Sequence, residues 1–283
     1  MPLFLSKKFS LYQSILISTI LVLAAGKTAY AGDVYSFGVV PQYEPRETYA
    51  IWQPILREVE RETGLKLRLS VSSSIPEFES SFESGRYDFA YMNPYHLLVA
   101  NKSQGYQPLI RDISRKLYGI LVVHKDSPIQ EVEQLAGKTV AFPAPNALGA
   151  ALIPRAELEN NYQTKVVEKY VRSHSSVYLN VALGVVDAGG GVQKTLAKQP
   201  KSIRDKLRVI YETTKLAPHP IAVHPRVKAE VCNRVLEAFQ KLDQSGKGQD
   251  LLKKIPIQKV GPAVMADYLP LKEMGLESFY VKD

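Results

Sequence analysis

The sequence has a single cysteine, Cys232, in 283 residues. One thiol allows no internal disulfide, and Val231, Val235 and Phe239 around it at helical spacing make it a packing residue. Beyond the first 31 residues no apolar run approaches the roughly 20 residues that a membrane-spanning helix needs. No run of Lys or Arg is present, so nucleic acid is not an expected partner. The five histidines, His96, His124, His174, His219 and His224, include no pair four apart as on a metal-binding helix, and neither metal nor cofactor is expected. The Gly-x-Ser-x-Gly elbow of hydrolases is missing. Gly137-Lys138-Thr139 lacks the glycine that a phosphate-binding loop places five positions earlier, where Val132 stands; the tripeptide reads as a turn between helix and strand. No acid–base–nucleophile constellation can be assembled, and the chain is not expected to be an enzyme.

What is present begins at the amino end. Lys7 and Lys8 precede a nearly all-apolar stretch from Ile15 to Ala25, and Ala29-Tyr30-Ala31 is a small-x-small cleavage site. This is the pattern of a secretory signal peptide over residues 1–31, cut after Ala31. No cysteine follows the cut to accept a lipid, so a soluble product beginning at Gly32 is expected. Cleavage leaves 252 residues and removes three lysines and no acid, taking the formal charge from +8 to +5. A mildly basic surface attracts anions.

Strands and helices alternate along the remainder. Val34 to Val40 is a strand. Arg46 to Thr63 is a helix with Trp52, Ile55, Leu56 and Val59 on one face and Gly64 at its stop. Leu65, Leu67, Leu69 and Val71 alternate with Lys66, Arg68 and Ser70 in strand periodicity. Ser74 and Glu77 form a capping box for a helix bearing Phe78 and Phe82. Phe89 to Met92 is a short strand, and Pro94 opens the next helix. A second such run starts with a helix entry at Ser127-Pro128. It continues through a strand at 139–142, a helix at 147–159, a strand at 165–171, a helix at 176–183 and a strand at 207–211. Such βαβ order predicts largely parallel sheets with helices on both faces. Leu117 to His124 and Ile221 to Val223 read as the crossings between two lobes, and residues 226–283 as mostly helical, packed back on the first.

Two strand-to-helix turns carry the chemistry. Pro145-Asn146-Ala147-Leu148-Gly149 opens a helix, where free N–H groups and the helix dipole favour an anion. Tyr91-Met92-Asn93-Pro94-Tyr95-His96 occupies the matching place in the first run. Ligands of open α/β sheets bind outside the carboxyl ends of strands, so the two turns are expected to face each other across a cleft. The glycines after Asp187-Ala188 suit either a floor beneath a ligand or a plain turn.

These blocks resemble the periplasmic phosphate/phosphite/phosphonate-binding family of ABC transporters. The resemblance rests on Asp88 to Tyr95, Gly119 to Pro128, Leu135 to Pro143, Ser173-His174 and Gly184 to Gly189, spread over nearly the whole processed chain. It implies a two-lobed type II periplasmic binding protein of the α/β class. Each lobe would be a mostly parallel sheet flanked by helices, with two crossover segments joining lobe 1 (32–121 and 222–283) to lobe 2 (122–221). It also implies a small anionic ligand held by Asn146, Ala147, Leu148, Gly149, His174, Asp187 and Tyr43 with Tyr91 or Tyr95, while Asn93, read from the first turn itself, is expected to grip oxygen atoms beside them. The family's hydroxyl-rich turn is here Ala147-Leu148, so backbone N–H groups and Asn146 would serve instead. A monomer in the periplasm is implied, working with an inner-membrane ABC permease or, alternatively, signalling to a sensor kinase.

Overall fold

A computed structural model of the protein describes residues 34–255 and 257–281; the expected signal peptide and its cleavage site lie outside them. Strand β1 (Val34–Val39) leads to helix α1 (Pro45–Thr63). Pro45 supplies a preset first turn. Gly64, at φ 70, ends the helix by donating its N–H to the Glu60 carbonyl at 2.7 Å, the left-handed geometry that a side chain resists. Ile51, Trp52, Ile55, Leu56 and Val59 form the buried stripe. Then follow β2 (Lys66–Val71), α2 (Ile75–Glu83), β3 (Phe89–Tyr91), α3 (Pro94–Gln104) and β4 (Gln107–Asp112). The Ser74 hydroxyl caps α2 by accepting from Glu77 N–H, while the Glu77 carboxylate reaches back to Ser73 rather than Ser74.

The second run holds β5 (Gly119–His124), a 3-10 turn (Val132–Leu135), β6 (Thr139–Phe142), a π turn (Leu148–Leu152) and α4 (Ile153–Tyr162). After it come β7 (Val167–Tyr170), α5 (His174–Ala182), β8 (Ala188–Val192), α6 (Gln193–Ala197), α7 (Lys201–Arg204) and β9 (Leu207–Glu212). The chain closes with β10 (Ile221–Val223), α8 (Ala229–Gln244), α9 (Gly246–Leu252), β11 (Val260–Pro262) and 3-10 turns.

Two sheets result, in the orders β11-β4-β10-β3-β1-β2 and β7-β6-β8-β5-β9. The expected parallel pairing holds for β2-β1-β3 and for β7-β6-β8. Strands β10, β11, β5 and β9 enter antiparallel, so each sheet is mixed. Residues 119–124 and 221–223 are therefore buried strands. The crossings from one sheet to the other are instead segments 113–118 and 213–220, and they are tied together where Leu117 and Leu216 exchange N–H···O bonds of 2.9 and 2.8 Å.

Other expectations are corrected in the same way. No α-helix starts at Ser127-Pro128, because the Gln134 side chain captures the N–H groups of Gln130 and Glu131 in a turn. Residues 226–281 are mostly helical as expected, in α8, α9 and the closing 3-10 turns, but β11 interrupts them and extends the first sheet. Helix α8 does pack back, with Lys241 3.6 Å from Glu62 and Arg234 bonded to the Thr63 carbonyl. Cys232 is half-buried and burial pushes its thiol up, in keeping with packing.

The glycines of β8 are neither a turn nor a ligand floor. A Cβ on Gly190 would stand 1.9 Å from the Ala150 carbonyl oxygen, and one on Gly191 2.0 Å from the Tyr178 hydroxyl. With no side chains, the strand admits Phe142, the backbone of the π turn and α5 at van der Waals distance. Gly119 and Gly149 meet equally closely, a Cβ on the former falling 1.7 Å from the latter's carbonyl.

Candidate functional site

A cleft of about 640 Å³ opens beyond the carboxyl ends of β1 and β8, the end of an open sheet at which ligands bind. Gln42 and Tyr43 come from the loop after β1, and Gln193 to Lys198 follow β8. The crossings contribute Arg115 to Tyr118 on one side and Pro218 and His219 on the other, and Lys253 comes from the end of α9. Five of these side chains are cations: Arg115, Lys116, Lys194, Lys198 and Lys253. Among the described residues that line the cleft, none is Asp or Glu.

The cations are held by what surrounds them. Arg115 Nε donates to Asp112 at 3.2 Å, while its Nη2 is buried with no partner. Burial pushes the Asp112 carboxyl up, but hydrogen bonds from Ser114, Gln258 and Arg115 outweigh it and hold the carboxyl below its ordinary range. Lys194 donates to the carbonyls of Lys253 and Ile255 at 2.7 and 2.8 Å, and Lys198 to that of Lys254 at 3.0 Å. Both lysines thus fasten α6, beside the second sheet, to the end of α9, beside the first. Burial, then Arg115 and Lys198, brings Lys194 down to about 8. Lys198 also lies 4.4 Å above the Tyr43 ring, a cation–π contact, and burial raises the Tyr43 hydroxyl's pKa, with Glu47 adding to it.

Behind this front lies an aromatic wall. Tyr91 ends β3 at 1% exposure, and its ring centroid is 4.8 Å from that of Trp52. On its other side it stacks on His219, whose Nε2 is 3.3 Å from Gln42 Nε2. The Tyr91 hydroxyl is buried with no hydrogen-bond partner, and burial foremost raises its pKa well above the usual. Across the cleft His174 opens α5 and lies 3.3 Å, Nδ1 to Oγ1, from Thr195, whose hydroxyl donates to the Val192 carbonyl at 2.8 Å. Burial lowers His174 to about 4. Burial, then His96 and His174, lowers His219 to about 3. Both imidazoles are neutral at pH 7, so His174 has one N–H to donate, not two.

The residues read from the sequence therefore separate into groups. Tyr43 lines the cleft, and Tyr91 and His174 stand one contact behind it, through His219 and Thr195. The two turns do meet, but directly: Asn93 Nδ2 donates to the Asn146 carbonyl at 3.2 Å. Asn93 otherwise caps α3, accepting from His96 N–H at 2.7 Å. Asn146 Nδ2 donates to Glu79 at 3.1 Å and to the Val281 carbonyl at 2.7 Å, and its Oδ1 accepts from Val281 N–H at 2.9 Å. Glu79 also receives His96 Nε2 at 2.8 Å and the Tyr280 hydroxyl at 3.2 Å. This buried network joins α2, α3, the π turn and the carboxyl-terminal tail. Ala147, Leu148 and Gly149 are buried beside β5 and β8, away from the cleft surface. Tyr95 is buried away from the cleft, packing on Tyr280 at 5.3 Å beside a separate cavity of about 830 Å³. Asp187 does not join the site. It lies at the amino ends of β6 and β8, with its carboxylate taking the Thr139 N–H at 2.9 Å.

Arg115, Lys194, Lys198, Lys253, Gln42 and His219 escaped the reading of the sequence. A polar stretch just past a glycine strand was the available signal for Lys194 and Lys198. Arg115 reaches the cleft from the first crossing and Lys253 from the end of α9, placements that no local pattern marks. Among the described residues no group of His, Cys, Asp and Glu could hold a metal ion, and no helix is long and apolar enough to cross a membrane.

A family model described as "ABC transporter, phosphonate, periplasmic substrate-binding protein" matches residues 37–268. The chain is 20% identical over 255 residues to the phosphonates-binding periplasmic protein of Escherichia coli (strain K12), a match covering 85% of this chain and 75% of that protein. It is 21% identical over 229 residues to the phosphate-import protein PhnD of Mycolicibacterium smegmatis, covering 73% and 71% respectively. The solved structure of PhnD1 from Prochlorococcus marinus in complex with methylphosphonate superposes with a TM-score of 0.77 at 14% identity, over 87% of this chain and 98% of that one. At that identity the structural likeness speaks for the fold.

Proposed function

Given that the chain belongs to the family of periplasmic substrate-binding proteins of phosphonate ABC transporters, we propose that its basic cleft captures a phosphorus oxyanion and carries it to an inner-membrane permease. The fold is that of type II periplasmic binding proteins. One observation carries the ligand reading: five cations, one of them Arg115 with a buried Nη2 that has no partner, line one cleft without a lining carboxylate, and the unpaired Tyr91 hydroxyl lies just behind them against His219. Buried donors left without partners cost free energy, and an anion satisfies several of them at once. His174 and Tyr43 belong to the same grip, one as a neutral N–H donor and the other as a wall.

The lobes in this reading are the two sheets with their helices, hinged at 113–118 and 213–220. Closure is held by Lys194 and Lys198 on the carbonyls at the end of α9. A family defined by transport favours this role over signalling to a sensor kinase. Binding and release without chemistry, by a monomer in the periplasm, complete the proposal. Thermal-shift and calorimetric titration of the processed protein against phosphate, phosphite, methylphosphonate and sulfate tests it. A phosphorus anion should raise the melting temperature and bind more tightly than sulfate; no response to any of the three phosphorus anions would refute it.

A further inference from the structure

The cleft also restricts the part of the ligand that is not the anion. None of the carboxylates near the cleft lines it, and most are engaged elsewhere. Asp112 is fully buried under Ser114, Gln258 and Arg115. Glu212 accepts from Gln193 Nε2 at 2.8 Å, Asp250 pairs with Lys253 at 2.9 Å, and Asp187 lies at the far end of the second sheet on Thr139. Glu47 is exposed on α1, where it acts on Lys198 and Tyr43. The remaining lining is apolar at Leu117, Tyr118, Val192, Ala197 and Pro218 and uncharged at Gln42, Tyr43, Gln193, Thr195 and His219. At about 640 Å³, the cleft falls within the roughly 300–1,000 Å³ that encloses an organic ligand.

We infer that the site selects phosphorus oxyanions whose organic part is uncharged, and rejects those that carry an ammonium group. This rests on the reading of the cleft as a phosphorus-oxyanion site. An ammonium brought into the cleft would shed water without gaining a carboxylate partner, and it would lie among five like charges. An alkyl or aryl group in the same place loses no hydration and packs on Leu117, Tyr118 and Val192. Specificity of this kind comes from a penalty on the wrong ligand as much as from contacts with the right one.

The test is a pair of ligands of one shape, ethylphosphonate and 2-aminoethylphosphonate, titrated calorimetrically at pH 7 against the processed protein and against Gln42→Glu. Gln42 lines the cleft beside His219, and glutamate is close to it in size. The parent should bind the amine at least tenfold more weakly than its alkyl counterpart, and Gln42→Glu should narrow that ratio severalfold. Equal or tighter binding of the amine by the parent overturns the inference while leaving the oxyanion reading intact. An unchanged ratio in Gln42→Glu, with the variant melting like the parent, overturns it too, because the missing acid would then not be the cause. Failure of both ligands to bind, with phosphate and phosphite also inert, removes the oxyanion reading and this inference with it.

Discussion

The Tyr91 ring stacks on the His219 imidazole, centroids 5.3 Å apart and planes 25° apart, while the Tyr91 hydroxyl finds no hydrogen-bond partner. The strand end of one sheet and the second crossing are thereby joined at a group that is unsatisfied without ligand. Tyr91→Phe should act in opposite directions on stability and binding. Removing a buried unpaired hydroxyl should leave the free protein as stable or more so, by up to about 1 kcal/mol. The phosphorus anion should bind more weakly, by roughly 1–3 kcal/mol. Melting with and without ligand separates the two effects; loss of both together would mean that the hydroxyl is satisfied in the free protein.

Acid should destabilise the protein through its buried histidines. His174 and His219 are held at about 4 and about 3, below the ordinary 6.5 that they regain on unfolding. Below pH 6.5 the unfolded chain binds protons that the native protein refuses, so stability falls as pH drops toward the two folded values. The slope is on the order of 1 kcal/mol per pH unit for each residue. Denaturation midpoints at pH 7, 5.5 and 4.5 should therefore decline, and less steeply in His219→Gln. Parallel declines in the two proteins would place the acid sensitivity elsewhere.

Asn146→Ala should harm folding more than binding. Its side chain makes three hydrogen bonds, a buried one to Glu79 and two half-buried ones with the backbone of Val281, and truncation orphans the buried partner and leaves the buried space unfilled, at about 1–3 kcal/mol for the partner alone. A loss of at least 2 kcal/mol in urea denaturation, with affinity changed less than threefold, is expected. A large loss of affinity at unchanged stability would return Asn146 to the ligand's first contacts.

Two glycines should behave in opposite ways. Gly190→Ala drives a methyl to 1.9 Å from the Ala150 carbonyl oxygen, and overpacking of a strand that cannot move should cost about 3 kcal/mol or more. Gly137, at φ 69 with nothing near its Cβ position, should lose only about 1 kcal/mol as alanine, the cost of the left-handed backbone. Circular dichroism melts of both variants decide the matter.

Much of the fold was legible because its signals are local. The stripe of Trp52, Ile55, Leu56 and Val59, the alternation from Leu65 to Val71 and the cap at Ser74 each report one element through its own residues. Pairing direction was less legible. Strands β5 and β10 have no periodicity of their own, being buried on both faces, and so read as crossings. The cleft was legible where one chain turn supplies it, as at Tyr43 on its wall and Tyr91 just behind. It was not legible where polar side chains chose other partners. Asn146 has the sequence of an anion-binding helix start, but Glu79 and Val281, 67 and 135 residues away, claim its amide. Asp187 likewise sits beside glycines in the sequence and at the wrong end of their strand in space.

Trp52 is the only tryptophan in the chain, and it is packed 4.8 Å from the Tyr91 ring at 3% exposure. The protein therefore contains one intrinsic fluorophore, placed against the tyrosine that backs the His219 wall of the cleft. Occupancy can be followed in unlabelled protein from a single emitter. Its signal is local to the Tyr91 wall and independent of the sixteen tyrosines when excited at its red edge. Stopped-flow mixing would then time any disturbance of the His219 wall, which Trp52 senses through its contact with Tyr91.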